Sequence, residues 1–132
     1  MLYFVGILDG SGDVWGVRIP DVAGCVGAGA TAEEAIADVT AALRDVAEYK
    51  RKGGFAIPDP RPLGAVMASG EIEAGEAAVL IPLLLDAGRT VRANVTFDAG
   101  LLAAIDSEAQ RRGISRSAFL ASAARDKIEQ VH

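Results

Sequence analysis

The sequence predicts an α+β protein in two parts, an antiparallel sheet with one long helix followed by a short strand and two helices. Three observations lead to this expectation. Short apolar runs separated by turn residues fill the first thirty positions, one strongly capped helix follows, and a strand with two amphipathic helices closes the chain. We place the boundary between the two domains so that they span residues 1–86 and 89–132.

Strand signals dominate the start of the chain. LYFVGI, the turn-rich DGSGD and then VWGVRIP indicate a hairpin. PDVAGCVGAGA predicts a tight turn into a third short strand around residues 25–28. AAVLIPLLLD, residues 77–86, predicts a further strand, and Pro82 favours the edge of the sheet because proline has no backbone N–H to donate.

One long helix is expected between these strands. Thr31 and Glu34 have capping-box spacing at its start, and Gly53 with Gly54 ends it. Its apolar side is formed by Ile36, Val39, Leu43, Val46 and Ala47. FAIPDPRP then has three prolines in eight residues and must be extended or turned. Residues 64–76 fit either an exposed connection or a short helix.

The C-terminal part begins with TVRANVTF, residues 90–97, which alternates between an apolar and a polar face. Asp98 is a suitable N-cap for a helix that Gly113 ends, and Ser115 can cap a second helix. The apolar stripes of the two helices are Leu101, Leu102, Ile105 and Ala109, then Phe119, Leu120, Ala123, Ala124 and Ile128.

A single strand with two helical stripes cannot satisfy its backbone or bury its apolar surface alone, so we expect a homodimer with paired antiparallel strands. The alternative is an exposed edge strand of a larger sheet, with Ser115 as a plain cap. This segment resembles the ribbon-helix-helix family. That resemblance implies Arg92, Asn94 and Thr96 as base readers in the major groove, and arginine and asparagine suit guanine and adenine edges. It also implies Ser115, Arg116 and Ser117 as phosphate-binding residues at the second helix start.

Charge is distributed unevenly along the chain. Residues 1–88 have 6 Lys and Arg against 13 Asp and Glu, a net −7, whereas residues 89–132 have 7 against 5, a net +2. This asymmetry fits a basic nucleic-acid-binding module attached to an acidic domain with another partner. A lone Cys25 argues against an internal disulfide, MLYFVGIL lacks a basic signal-peptide start, and no apolar run could span a membrane. We therefore expect a cytoplasmic protein.

Nearly the whole chain resembles the HicB antitoxins in the order of its motifs. These motifs are PDVAGC, the GATAEEA helix start, Ile57 with Pro58 and the C-terminal unit. The resemblance implies a partial ribonuclease-H-like sheet without that enzyme's activity. It further implies a partner, a HicA-like toxin that cleaves messenger RNA, and repression of the chain's own operon through operator DNA.

Composition does not favour an enzyme. A two-metal nuclease needs converging carboxylates, but each candidate has a structural explanation in a turn or a helix start: Asp9, Asp13, Asp21, Glu33, Glu34 and Asp38. His132 is the only histidine and the final residue, so we expect no catalytic residue, no metal and no cofactor.

Two functions remain open. The first is a HicB-type antitoxin and repressor, with Tyr3 and Trp15 as weak candidates for toxin contact. The alternative is a stand-alone ribbon-helix-helix repressor whose N-terminal domain senses a small molecule. An adjacent reading frame for a small basic protein would favour the antitoxin. Whether dimers join through their N-terminal sheets into a tetramer is also open.

Overall fold

A computed structural model describes residues 1–85 and 90–130 of the chain. It consists of two compact units, a larger one formed mainly by Met1–Leu85 and a smaller one, Asp86–Ile128. The expected boundary around residues 86–89 lies outside the described residues. Within the described parts of the chain, no helix is both long and apolar enough to cross a lipid bilayer.

The larger unit is built on a four-stranded antiparallel sheet. Its strands are β1 (Leu2–Ser11), β2 (Val14–Arg18), β3 (Val26–Gly29) and β4 (Ala77–Leu83), in the order β3-β2-β1-β4. The predicted hairpin, third strand and edge position of the Pro82 strand are therefore confirmed. The ladder between β1 and β2 continues to the Ser11–Val14 pair.

Asp9 is a correction to the sequence interpretation, which placed it in the hairpin turn. It lies in β1 opposite Gly16, and only Gly12 and Asp13 form the turn. Gly12 has a φ of 58°, the left-handed conformation that a two-residue hairpin turn requires. The turn can therefore be this short, and the strands extend through residues that look like loop in the sequence.

Helix α1 (Ala32–Lys52) begins and ends where the sequence predicts. Thr31 Oγ1 accepts a hydrogen bond from the backbone N–H of Glu34 at 3.1 Å. The Glu34 carboxylate reaches back to the N–H of Ala30 at 2.8 Å, one residue earlier than in a standard capping box. At the other end Gly54 adopts a φ of 76°, so the helix stops without strain.

Helix α1 packs on one face of the sheet at very short range. A Cβ atom at Gly27 would lie 2.4 Å from the backbone nitrogen of Val39, so only glycine allows this approach. The main core on this face is a single cluster of buried side chains: Phe4, Val17, Ile19, Val22, Cys25, Ala35, Val39, Leu43, Ala47, Ile81 and Leu83. It packs α1 against β1, β2 and β4, and the close approach at Gly27 brings α1 to β3.

The opposite face of the sheet is covered in part by a short helix. Val5 and Ile7 alternate with Phe4 along β1, so they face away from α1, and both are buried. Residues 64–76 combine the two alternatives that the sequence left open: the six-residue helix α2 (Leu63–Ala68) packs near β4 and buries Val66 completely, and residues 69–76 form a connection without a helix or strand.

Ion pairs join the connection between α1 and β4 to β2 and to the turn that follows β2. Arg61 donates to both oxygens of Asp21, from Nε at 2.6 Å and from its backbone N–H at 2.8 Å, and also to Glu71. Arg18 of β2 forms a bidentate pair with Glu76 at 2.6 and 2.9 Å. The Arg18 guanidinium lowers the pKa of Glu76 to about 2, mainly through this hydrogen bonding.

The smaller unit contains helices α3 (Ala99–Arg111) and α4 (Arg116–Glu129). The Asp98 carboxylate accepts from the N–H groups of Gly100 and Leu101 at 3.0 and 3.2 Å, which confirms it as the N-cap of α3. Gly113, with a φ of 71°, forms the turn between the helices. Ser115 Oγ then accepts from the N–H of Ala118 at 3.1 Å and caps α4 as predicted.

Candidate functional site

The segment predicted as a strand, residues 90–97, is exposed along its whole length and has no regular secondary structure in the single chain. A β-strand exists only when its backbone is hydrogen-bonded to a neighbour. The sequence interpretation assigned that neighbour to a second copy of the chain. Among the described residues, the sheet of the larger unit consists of the four strands β1 to β4, and this segment is not one of them.

Apolar side chains of the smaller unit are largely exposed. Val91 and Val95, on the apolar face of the segment, are 78% and 68% exposed, and Leu101 is 52% exposed. Ile105 and Ala109 of α3 are buried, but no residue of α4 is. The predicted stripe of α4 is therefore only partly covered in the single chain, since Phe119 and Leu120 are half-buried whereas Ala123, Ala124 and Ile128 are exposed. Exposed apolar surface of this kind is typical of a surface that another chain covers.

The three predicted base readers are accessible. Arg92, Asn94 and Thr96 are all exposed. Asn94 also lines a hollow of about 270 Å³ in the smaller unit. The other lining residues are Ala93, Val95, Phe97, Leu102 and Arg116. The hollow thus joins the extended segment to α3 and to the start of α4.

At the start of α4 the predicted phosphate-binding residues have different surroundings. Ser115 and Ser117 are exposed, and the Ser115 hydroxyl is engaged as the helix cap. The Arg116 guanidinium forms a bidentate pair with Asp106 of α3, Nε to Oδ1 and Nη2 to Oδ2, both at 2.7 Å. Hydrogen bonding from Arg116 holds the pKa of Asp106 below its ordinary value.

A second acidic residue of α3 binds the other arginines nearby. Glu108 accepts from Arg111 and, at 2.8 Å, from Arg112 Nε. These contacts lower the pKa of Glu108 to about 2. The Arg112 guanidinium also lies 5.8 Å from the centre of the Phe119 ring, within range of a cation–π contact between α3 and α4.

Sequence reasoning missed the role of Asp106. It is ten residues from Arg116, across the turn at Gly113, whereas local helix pairs are three or four residues apart. No spacing rule marks such a pair, because it depends on how the two helices are oriented. Together, these residues form an exposed surface of hydrogen-bonding and guanidinium groups, in which Arg111, Arg112 and Arg116 are paired with carboxylates.

In the larger unit the two candidates for protein contact differ. Tyr3 is 50% exposed at the start of β1, opposite Pro82 of β4. Trp15 is partly buried against the main core, and its indole N–H donates to the carbonyl oxygen of Gly12 at 2.9 Å. Trp15 is therefore chiefly a packing residue, whereas Tyr3 offers an accessible aromatic surface.

Three of the candidate carboxylates of the larger unit are engaged in structural contacts. Asp21 binds Arg61, the Asp38 carboxylate accepts from the N–H of Ala28 at 2.9 Å, and Glu34 caps α1. Across residues 1–85 and 90–130, no three His, Cys, Asp or Glu side chains are grouped as metal ligands would be.

The fold and the site define a two-part α+β protein, a sheet with a packed helix followed by a two-helix unit that leaves an apolar surface open. A family model for the HicB-like antitoxin of bacterial toxin–antitoxin systems matches residues 3–124. The chain belongs to the HicB-like antitoxin family. No curated protein sequence gives a match.

Solved structures agree with this assignment. The chain is similar to the crystal structure of the Burkholderia pseudomallei antitoxin HicB, with 27% identity, a TM-score of 0.57 and 97% of each chain covered. It is also similar to antitoxin HicB3, with 25% identity, a TM-score of 0.54, and 98% of this chain and 100% of that one covered. A HicA3–HicB3 toxin–antitoxin complex contains a chain of the same fold, with 18% identity and a TM-score of 0.52, and the match covers 64% of this chain and 99% of that one.

Proposed function

We propose that this chain is the antitoxin of a type II toxin–antitoxin system, which inhibits a HicA-like mRNA-cleaving toxin and represses its own operon. In this proposal residues 1–86 bind the toxin and residues 89–132 form a ribbon-helix-helix dimer on operator DNA. The observation that carries it is the exposed, alternating segment at residues 90–97 beside two helices whose apolar surface is open.

Dimerisation follows from what the single chain leaves unsatisfied. Antiparallel pairing of two copies of residues 90–97 would give each backbone its hydrogen-bonding partner. The same pairing would place Val91, Val95 and Phe97 of both chains against the helices. Association of this kind is driven by removal of apolar surface from water, about 25 cal/mol per Å². The resulting homodimer is the unit expected to bind DNA, and two such dimers could join as a tetramer.

The outward face of the paired strands would then be polar. Arg92 can donate two hydrogen bonds to guanine, and Asn94 can pair with adenine, in a major groove wide enough for a two-stranded ribbon. Thr96 is the third polar side chain on this face. The start of α4, with Ser115, Arg116 and Ser117, would bind a phosphate. The net +2 of residues 89–132 favours this contact, in contrast to the acidic first part of the chain.

Toxin neutralisation is supported by the family and by charge. The net −7 of residues 1–88 would favour encounter with a basic, RNA-binding protein. Tyr3 is the better of the two candidate contacts because Trp15 is held in its own hairpin. We assign the sheet with α1 to a partial ribonuclease-H-like fold that acts as a binding platform and not as a nuclease. A cytoplasmic location fits both tasks.

Co-expression with the neighbouring reading frame tests the toxin side. The partner alone should arrest growth, and the full chain should restore growth and be retained on the tagged partner. A variant that lacks residues 89–132 should keep part of the neutralisation and lose DNA binding. Growth arrest that the folded full chain does not relieve would contradict the antitoxin assignment.

Gel-shift experiments with the promoter region of the same operon test the DNA side independently. The full chain should shift this fragment at lower concentration than a random duplex of equal length. The truncated chain is the control and should shift neither. Equal affinity of the full chain for both fragments would contradict repression by operator recognition.

A further inference from the structure

The pair between Asp106 and Arg116 differs from the ion pairs that Glu108 forms in the smaller unit. Glu108 pairs with Arg111 and Arg112, which lie three and four residues away on the same surface of the helix region. Asp106 instead holds an arginine from the next helix, with both carboxylate oxygens engaged. In a bidentate carboxylate–guanidinium pair the arginine donates two parallel N–H groups, and a phosphate would be bound by the same two donors.

Arg116 cannot donate these two N–H groups to Asp106 and to a phosphate at the same time. Both partners are substantially exposed, with side-chain exposures of 53% for Arg116 and 44% for Asp106, so the pair can exchange with an incoming anion. The position of Arg116 as the first residue of α4, beside the capping Ser115, is where a helix start attracts phosphate. Asp106 therefore competes for the group on which phosphate binding depends.

We propose that Asp106 is an affinity-setting residue, which occupies Arg116 in the free protein and weakens the binding of all DNA regardless of sequence. This inference rests on the proposed DNA-binding function. The competition persists at neutral pH, because the ordinary pKa of an aspartate lies well below that range and hydrogen bonding from Arg116 lowers the pKa of Asp106 further. Asp106 thereby lowers the fraction of protein bound to non-operator DNA, where phosphate contacts supply nearly all the affinity.

The matched test compares Asp106→Asn with Asp126→Asn in the full chain. Both substitutions remove one negative charge from the smaller unit, but only the first releases an arginine, because Asp126 is exposed and forms no ion pair among the described residues. An exposed ion pair is worth roughly 1.5- to fivefold in an equilibrium constant. A dimer that uses both copies should bind roughly two to twenty-five times more tightly after Asp106→Asn. Asp126→Asn should give only the smaller gain common to any lost negative charge.

The probe is a fluorescein-labelled duplex of random sequence, titrated by anisotropy between about 50 and about 200 mM salt. Release of Arg116 adds about one phosphate contact per chain, so the log–log salt slope should steepen by about 0.9 per chain, or about 1.8 per dimer. In an Arg116→Ala background, Asp106→Asn should add no more affinity than Asp126→Asn adds. Circular dichroism and thermal melting verify that each variant is folded.

Each outcome decides the inference. Tighter binding with a steeper salt slope, lost in the Arg116→Ala background, supports it. Weaker binding by Asp106→Asn would mean that Asp106 positions Arg116 for the phosphate, and this result overturns the inference. A gain equal to that of Asp126→Asn would mean that only the overall charge matters, and this result overturns it as well. Should Asp106→Asn unfold, Arg116→Lys provides the second variant, since lysine cannot form the bidentate pair and should bind random DNA at least as well as the native protein. Absence of any DNA binding by the native chain would refute the proposed function itself.

Discussion

Val95→Ala is the most direct test of the proposed dimer. Val95 lies on the apolar face of residues 90–97 and is 68% exposed in the single chain. The substitution removes two carbon groups, which are worth about 0.8 kcal/mol each when fully buried. Scaled by the fraction still exposed, the loss is about 1 kcal/mol per chain, and about 2 kcal/mol per dimer because a two-fold axis counts every residue twice.

A loss of about 2 kcal/mol corresponds to a roughly thirtyfold weaker dimer. Sedimentation equilibrium over a range of concentrations measures the dissociation constant. Val14→Ala is the matched control, since Val14 is 72% exposed but lies in β2 of the larger unit. Equal dissociation constants for Val95→Ala and Val14→Ala, or a native chain that stays monomeric at high concentration, would refute the reasoning.

Three further predictions concern separate parts of the chain. Arg92→Ala should cost roughly 1–3 kcal/mol of affinity for the promoter fragment and little for random DNA if Arg92 contacts guanine, and unchanged discrimination in competition gel shifts would exclude that role. The pKa of Glu76 is about 2 against an ordinary 4.5, so the stabilising pair with Arg18 is fully present above pH 4.5 and is lost as the pH falls toward the pKa of the folded state. Denaturant unfolding at several pH values should therefore show a smaller loss of unfolding free energy in acid for Glu76→Gln than for the native protein. Equal losses for the two proteins would contradict this. Gly27→Ala should force α1 away from β3, because its Cβ would lie 2.4 Å from the Val39 nitrogen, and a melting temperature equal to that of Gly64→Ala, where the added Cβ meets nothing within 4 Å, would show that the close approach is not required.

The sequence by itself determined the elements that depend on local chemistry. Thr31, Asp98 and Ser115 cap the three longer helices as expected, because a side-chain oxygen at the first position satisfies amide groups two or three residues later. Pro82 marked β4 as an edge strand since a missing N–H is tolerated there. Each of these signals lies within a few residues of the structural feature that it predicts.

Tertiary structure alone decided which distant groups meet. Nothing near Asp21 or Asp106 in the sequence indicates that they bind Arg61 and Arg116, forty and ten residues away. Such pairs depend on the path of the proline-rich stretch and on the angle between α3 and α4, which packing sets. For the same reason Asp9 lies in a ladder that its turn-like neighbours concealed. A single chain likewise leaves residues 90–97 without a strand partner, because a β-ladder requires two backbones.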